Sequence, residues 1–221
     1  MKPIIKIIGK TVLGQSIDSW EFNFNDTTER VLIVGGVHGD EMEGIYIANA
    51  LIEKLLNETN VSHKFLFVPC LNKDGQVLSL RSNYKDVDLN RNIPTKNWVS
   101  SYKNPRYKPG PEAGSEPETI AFMNVVNSFL PTLIISLHSF SESLILYNRG
   151  NGKFDNLVRE LADVLNIKIV ENMEYEVIGS LNTYSKEHDI PTLTIEAPRD
   201  TTWESRKEIF VESLYKFLIR I

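Results

Sequence analysis

The sequence predicts an α/β fold: a single domain with a mixed, mostly parallel, twisted β-sheet covered by helices on both faces. Three observations carry this. Short runs of continuous apolar residues recur along the chain. Segments of helical periodicity separate them. At 221 residues the chain is long enough to bury one sizeable core. Runs apolar throughout, rather than alternating, mark strands covered on both faces. Strands alternating with helices imply parallel pairing through helical crossovers.

The N-terminal stretch MKPIIKIIGKTVLG has apolar runs only two residues long, broken by Lys6 and Lys10, so it is no signal-peptide core. RVLIVGGV (Arg30 to Val37) reads as the first buried strand and HKFLFVPC (His63 to Cys70) as the second. Between them Ile45, Ala48, Leu51, Ile52 and Leu55 recur at steps of three and four, a helix with one apolar stripe over Glu41 to Leu56. Residues 83–114 show little periodicity and much Asn, Pro, Tyr and charge; an irregular run of that length is usually functional. SEPETIAFMNVVNSF then starts a helix, with Ser115 as N-cap, Pro117 in the first turn and Glu118 completing a capping box. TLIISLHS (Thr132 to Ser139), SLILY (Ser143 to Tyr147) and PTLTIEAP (Pro191 to Pro198) supply three more strands. NLVRELADVLN and ESRKEIFVESLYKFLIRI supply two more helices. No repeat or linker divides residues 1–221.

Composition excludes several classes. The net charge is −5, and nucleic-acid binding rewards a concentrated basic surface. The one basic stretch, Lys96 to Lys108, is interleaved with Pro, Asn and Tyr and reads as a solvated loop. No apolar stretch approaches the roughly 20 residues of a membrane helix. Cys70 is the only cysteine, so no intramolecular disulfide is possible, and its apolar neighbours point to a buried, inert thiol. The chain reads as cytoplasmic.

The chemistry begins at a strand end. His38 and Glu41 form H-x-x-E where a buried strand passes into a helix. An imidazole and a carboxylate are common ligands of catalytic zinc. By itself the word fits a helix start favoured by acids at least as well. His138, at the end of another buried strand and 100 residues away, changes the balance: a sheet brings such strand ends together. Two His and one Glu leave zinc a fourth position for water. Glu196 ends the run TLTIE and is the candidate general base, although its local sequence equally describes an acid leaving the core. Arg81, Asp88, Asn90 and Arg91 lie in SLRSNYKDVDLNRN; guanidinium groups suit carboxylate binding and oxyanion stabilisation. Asp40 is the acid not assigned to the metal; it suits a hydrogen bond to a ligand or the helix start. Gly35 and Gly36 suit close passage of backbone past a metal.

In these words the sequence resembles the zinc carboxypeptidase family. HGDE resembles its zinc word, VDLNRN its substrate word, SLHS its third-ligand word, and TIEAP the strand bearing its catalytic glutamate. The resemblance runs from about Val31 to Arg199, in the family's order. GSEPET and YEVIGS narrow it toward the bacterial murein tripeptide amidases, which cleave between γ-D-glutamate and meso-diaminopimelate. It implies one zinc ion on His38, Glu41 and His138, with Glu196 as general base and then acid. It implies Arg81 as oxyanion stabiliser, and Asn90 and Arg91 gripping the free carboxylate of a small peptide. Tyr175 best matches the family's mobile tyrosine, with Tyr184 also nearby. Leu181 falls near its specificity position and offers a diaminopimelate amine no charge. Two other readings remain: a deacylase of N-acyl amino acids, resembling aspartoacylase and succinylglutamate desuccinylase, and a non-catalytic carboxylate binder of the same fold.

Overall fold

In a computed structural model that describes residues 2–23, 29–58, 63–173 and 177–221, the five apolar runs form adjacent strands of one eight-stranded sheet. In chain order the strands are β1 (Ile4–Lys10), β2 (Ser16–Asn23), β3 (Arg30–Gly35), β4 (Lys64–Val68), β5 (Leu133–Phe140), β6 (Leu144–Asn148), β7 (Lys168–Val170) and β8 (Thr192–Pro198). The helices are α1 (Met42–Leu56), α2 (Lys73–Leu78), α3 (Pro117–Phe129), α4 (Asp155–Leu165), α5 (Leu181–Glu187) and α6 (Trp203–Leu218). The sheet order is β1-β2-β4-β3-β5-β8-β6-β7. Its centre, β4-β3-β5-β8, is parallel. β1, β2 and β6 join antiparallel, and β7 pairs parallel with β6 at the far edge.

Alternation along each central strand feeds both faces. In β3, Val31 and Ile33 join one apolar cluster while Leu32 and Val34 join the other. The first cluster takes Leu51 of α1, Val158 of α4 and Phe210 of α6. The second takes Phe122 of α3 and Leu181 and Tyr184 of α5. Burying one such side chain stabilises by roughly 1.5–3 kcal/mol. Among the described residues no helix is long and apolar enough to cross a membrane.

The topology positions the site. The crossover through α1 carries the chain from β3 to β4 on one side. The path through α3 then returns it to β5 on the other side of β3. At such a reversal the loops diverge and leave a crevice at the strands' carboxyl ends.

Several elements differ from the sequence reading. β1, β2 and α2 are additional; β1 is an exposed edge strand, and edge strands lack the continuous apolar run. β7 and α5 are also additional, and they are only three and seven residues long. The expected capping box is absent: Glu116, not Ser115, precedes α3, and no side chain caps it. Ser115 Oγ instead donates to Glu116, and Glu118 accepts from Val12 N and Asn83, tying α3 to the N-terminal strands. Gly36 has φ +57, and a Cβ there would press on Cys70 and Ile45 rather than on the crevice. The glycine permits tight packing of α1 against the β4 turn, not passage past a metal. Cys70 is buried, and burial pushes its thiol pKa up to about 12.

Candidate metal centre

His38 sits in the turn after β3, and Glu41 immediately precedes α1. Glu41 N donates to His38 O at 3.3 Å, closing one turn that projects both side chains into the crevice. A Cβ on Gly39, between them, would lie 2.1 Å from Gly75 C, so only glycine lets this turn sit against α2. On β5 the period of two puts Ser136 and His138 on one face. His138 is in register with Glu196 of β8.

The three candidate ligands converge. One donor atom from each of His38, Glu41 and His138 lies within 4.8 Å of the others, and all three residues are buried. Glu41 Oε1 is 2.7 Å from His38 Nδ1, and Oε2 is 2.8 Å from His138 Nδ1. The two Nδ1 atoms stand 3.2 Å apart. Ligands about 2.0–2.1 Å from a tetrahedral zinc stand roughly 3.3 Å from one another.

The outer nitrogens are held as well. His38 Nε2 donates to Asp88 Oδ1 at 3.1 Å, and His138 Nε2 lies 2.9 Å from Ser136 Oγ. Asp88 also accepts from Arg81 Nε and Nη2 and from Asn90 N. Burial opposes its charge, but His38 and the arginines hold its pKa far below the usual carboxylate range. An ionised Asp88 keeps the proton of His38 on Nε2 and turns the Nδ1 lone pair inward. Two inward lone pairs and a carboxylate make a donor set that fits zinc. Burial would raise Glu41, yet the two imidazoles hold it well below 4.5. Burial would lower His38, and Glu41 and Asp88 reverse that.

Asp88 and Ser136 are the supports that sequence reasoning missed. Ser136 was legible as the residue two before His138 on one strand face. Asp88 was visible as an acid but not as a partner of His38. Asp40 makes no hydrogen bond to a candidate ligand: Arg199 Nη2 donates to its Oδ2 at 3.0 Å and to its main-chain O.

Arg81, Asn90, Arg91 and Glu196 line one cavity of about 590 Å³ with the three candidate ligand residues. Arg81 Nη1 donates to Glu41 Oε1 at 3.1 Å, beside the ligands. Asn90 Oδ1 accepts from Leu181 N at 3.0 Å, tying the irregular segment to α5. Arg91 is 6% exposed, donates only to Asn90 O, and forms no ion pair among the described residues. Asp88 feels its charge without forming an ion pair with it, and a buried guanidinium with no direct salt bridge suits an anionic ligand. Glu196 lines the cavity; burial raises its pKa, helped by Glu41 and opposed by His138. Arg106 and Tyr107 of the basic stretch also line it, so that stretch is part of the site and not only a solvated loop. Tyr107 lies between the two arginines, 5.6 Å from Arg81 Cζ and 5.0 Å from Arg91 Cζ.

Two expectations change and one falls outside. Tyr175 lies outside the described residues. Tyr184 is buried, stacks on His188 and donates to Asn127, so it faces the core. Leu181 is also buried, in the same apolar cluster as Leu89 and Ile93. The cavity wall is formed instead by its neighbours Asn182 and Thr183.

With this geometry in view, a family model described as zinc carboxypeptidase matches residues 4–212. Murein peptide amidase A of Vibrio campbellii is 29% identical over 220 residues, covering 93% of this chain and 85% of the relative. The crystal structure of murein-tripeptide amidase from Escherichia coli O157 superposes with a TM-score of 0.82 at 25% identity, covering 99% of this chain and 92% of that one. Aspartoacylase of Danio rerio is 32% identical, but over 48% of this chain and 37% of the relative.

Proposed function

The chain belongs to the zinc carboxypeptidase family, and on that premise we propose that it is a zinc-dependent amidase cleaving between γ-D-glutamate and meso-diaminopimelate in murein peptides. One observation carries the reading: a buried His–Glu–His donor set shares a cavity with Arg91, a buried guanidinium lacking an ion-pair partner among the described residues. A metal donor set alone suits many hydrolases. The guanidinium beside it suits a substrate with a free carboxylate next to the scissile bond.

His38, Glu41 and His138 would hold one zinc ion. When bound, zinc supplies Lewis acidity toward a water and the scissile carbonyl. Glu196 accepts the water's proton and passes it to the leaving amine. Burial moves its pKa toward the range in which a carboxyl group both takes and returns a proton. Arg81 faces the negative charge that develops on the carbonyl oxygen. Asn90 and Arg91 grip the carboxylate of the residue released, which turns binding into alignment. Tyr175 is assigned to substrate binding. Residues 1–221 act as one catalytic domain, in the cytoplasm, on small peptides from cell-wall recycling.

The partial match to aspartoacylase favours a second reading, hydrolysis of an acidic N-acyl amino acid. The test assays L-Ala-γ-D-Glu-meso-diaminopimelate beside such a substrate, with products identified and metal content measured. We expect one zinc per chain and release of meso-diaminopimelate. Glu196→Gln should keep its zinc and lose turnover by about 100-fold or more. Near-normal turnover would reject Glu196 as base, and cleavage of the N-acyl substrate alone would select the second reading.

A further inference from the structure

The cavity extends past the His–Glu–His cluster to a wall made by α5 and the residues after β7. Asn182 and Lys186, one turn apart on α5, both line it. Asn182 Oδ1 is buried and accepts no hydrogen bond. A buried amide oxygen in a cavity wall without a donor is set up for a donor on the ligand. Lys186 Nζ donates to Asn172 Oδ1 at 2.7 Å and to Glu171 O at 3.1 Å. Both acceptors are neutral, so its charge has no counter-ion among the described residues, and one of its three donors is free. Leu146 and Met173 line the same cavity and give it an apolar section.

This arrangement matches one kind of side chain. It has an aliphatic stem, a terminal ammonium for the unpaired Asn182 oxygen and a terminal carboxylate for Lys186. We propose that Asn182 and Lys186 recognise a zwitterionic amino-acid terminus at the far end of the released residue's side chain, the ammonium on Asn182 Oδ1 and the carboxylate on Lys186. This rests on the amidase reading above and identifies the residues that give it selectivity. Leu181, the position the sequence pointed to, carries no charge; the charge enters five residues later, on the cavity face of the same helix.

The spacing is built into the fold. Asn90, half of the carboxylate grip, accepts from the main chain of Leu181, and Ile93 N donates to Gly179 O. The grip on the near carboxylate and the wall reading the far end are thereby joined through α5. Arg91 and Lys186 are then two cations for two carboxylates of one residue. A lysine side chain would bring its ammonium toward Lys186 with no carboxylate to offset the repulsion.

The experiment uses the zinc-loaded enzyme and three tripeptides, L-Ala-γ-D-Glu-X. X is meso-diaminopimelate, its distal carboxamide, or L-lysine. Wild type should prefer the first by about 5-fold or more in kcat/KM, the scale for an exposed ion pair together with one hydrogen bond. Lys186→Met should lose most of that preference, mainly through KM, while Lys186→Arg retains it. Asn182→Leu should weaken the first peptide and leave the lysine peptide slower still. Thermal melting checks that the variants fold, and Lys186 is exposed, so its replacement does not open the core. If wild type cleaves the first peptide and Lys186→Met leaves the ratios unchanged, this inference fails and the amidase reading stands. If zinc-loaded wild type cleaves none of the three, the amidase reading fails and takes this one with it.

Discussion

Asp88 shows how much of the site rests on a residue that would touch no substrate. It is fully buried, accepts from Arg81 twice and from Asn90 N, and holds the outer nitrogen of His38. It thereby sets the tautomer of His38 and the direction of the Arg81 guanidinium together. Replacing the carboxylate by an amide keeps the volume but removes the charge that fixes that proton. Asp88→Asn should therefore weaken zinc binding by about 10–100-fold, the range for loss of a ligand's supporting hydrogen bond. Competition with a chelating dye reads this directly, and unchanged affinity would contradict it. His38, Glu41, His138 and Glu196 could be singled out in the sequence because each ends or follows a continuous apolar run. Asp88 was not, because its partner is 50 residues away and no local pattern marks the pair.

At the scale of elements, the irregular segment from 83 to 114 is a framework for charge. Asp88 O and Leu89 O accept from Arg91 N and Asn92 N, forming one 3-10 turn at Leu89–Arg91. Asn92 Nδ2 donates to Pro109 O, Glu112 O and Ser115 Oγ, folding the segment back on itself. This brings Tyr107 between Arg81 and Arg91. A guanidinium over an aromatic face gains about 0.5–2 kcal/mol, so the ring limits where both arginines can point. Tyr107→Ala should raise KM by about 3–30-fold, and Tyr107→Phe, which keeps the ring, should stay near wild type. Steady-state kinetics on the two variants checks it; equal loss in both would mean that the hydroxyl matters instead. The helices bear a similar lesson. α1 and α6 were visible from their apolar spacing, whereas α5 is seven residues long and too short to show a period. Yet α5 supplies the cavity wall.

For the whole molecule, the sheet gathers three ionisable side chains from two strand ends into one crevice. A cation held by such a cluster would bind the folded state alone, because the unfolded chain has no counterpart. Zinc at about 100 times its dissociation constant should stabilise the fold by roughly 2.7 kcal/mol. For a domain of this size that corresponds to about 5–10 °C in Tm. Calorimetry before and after chelation and zinc return measures it, and an unshifted Tm would argue against ordered binding by these residues. The sequence by itself determined the fold class, the five central strands and the ligand candidates at their ends. Those features are local: an apolar run stays apolar wherever it is placed, and His, Glu and Arg carry their chemistry with them. Tertiary structure decided which charges meet. It paired Asp40 with Arg199, turned Asp88 onto His38, buried Leu181 and brought Lys186 to the cavity. Those outcomes follow from strand order and loop path, which place residues dozens of positions apart at hydrogen-bond distance, and no periodicity in the chain encodes them.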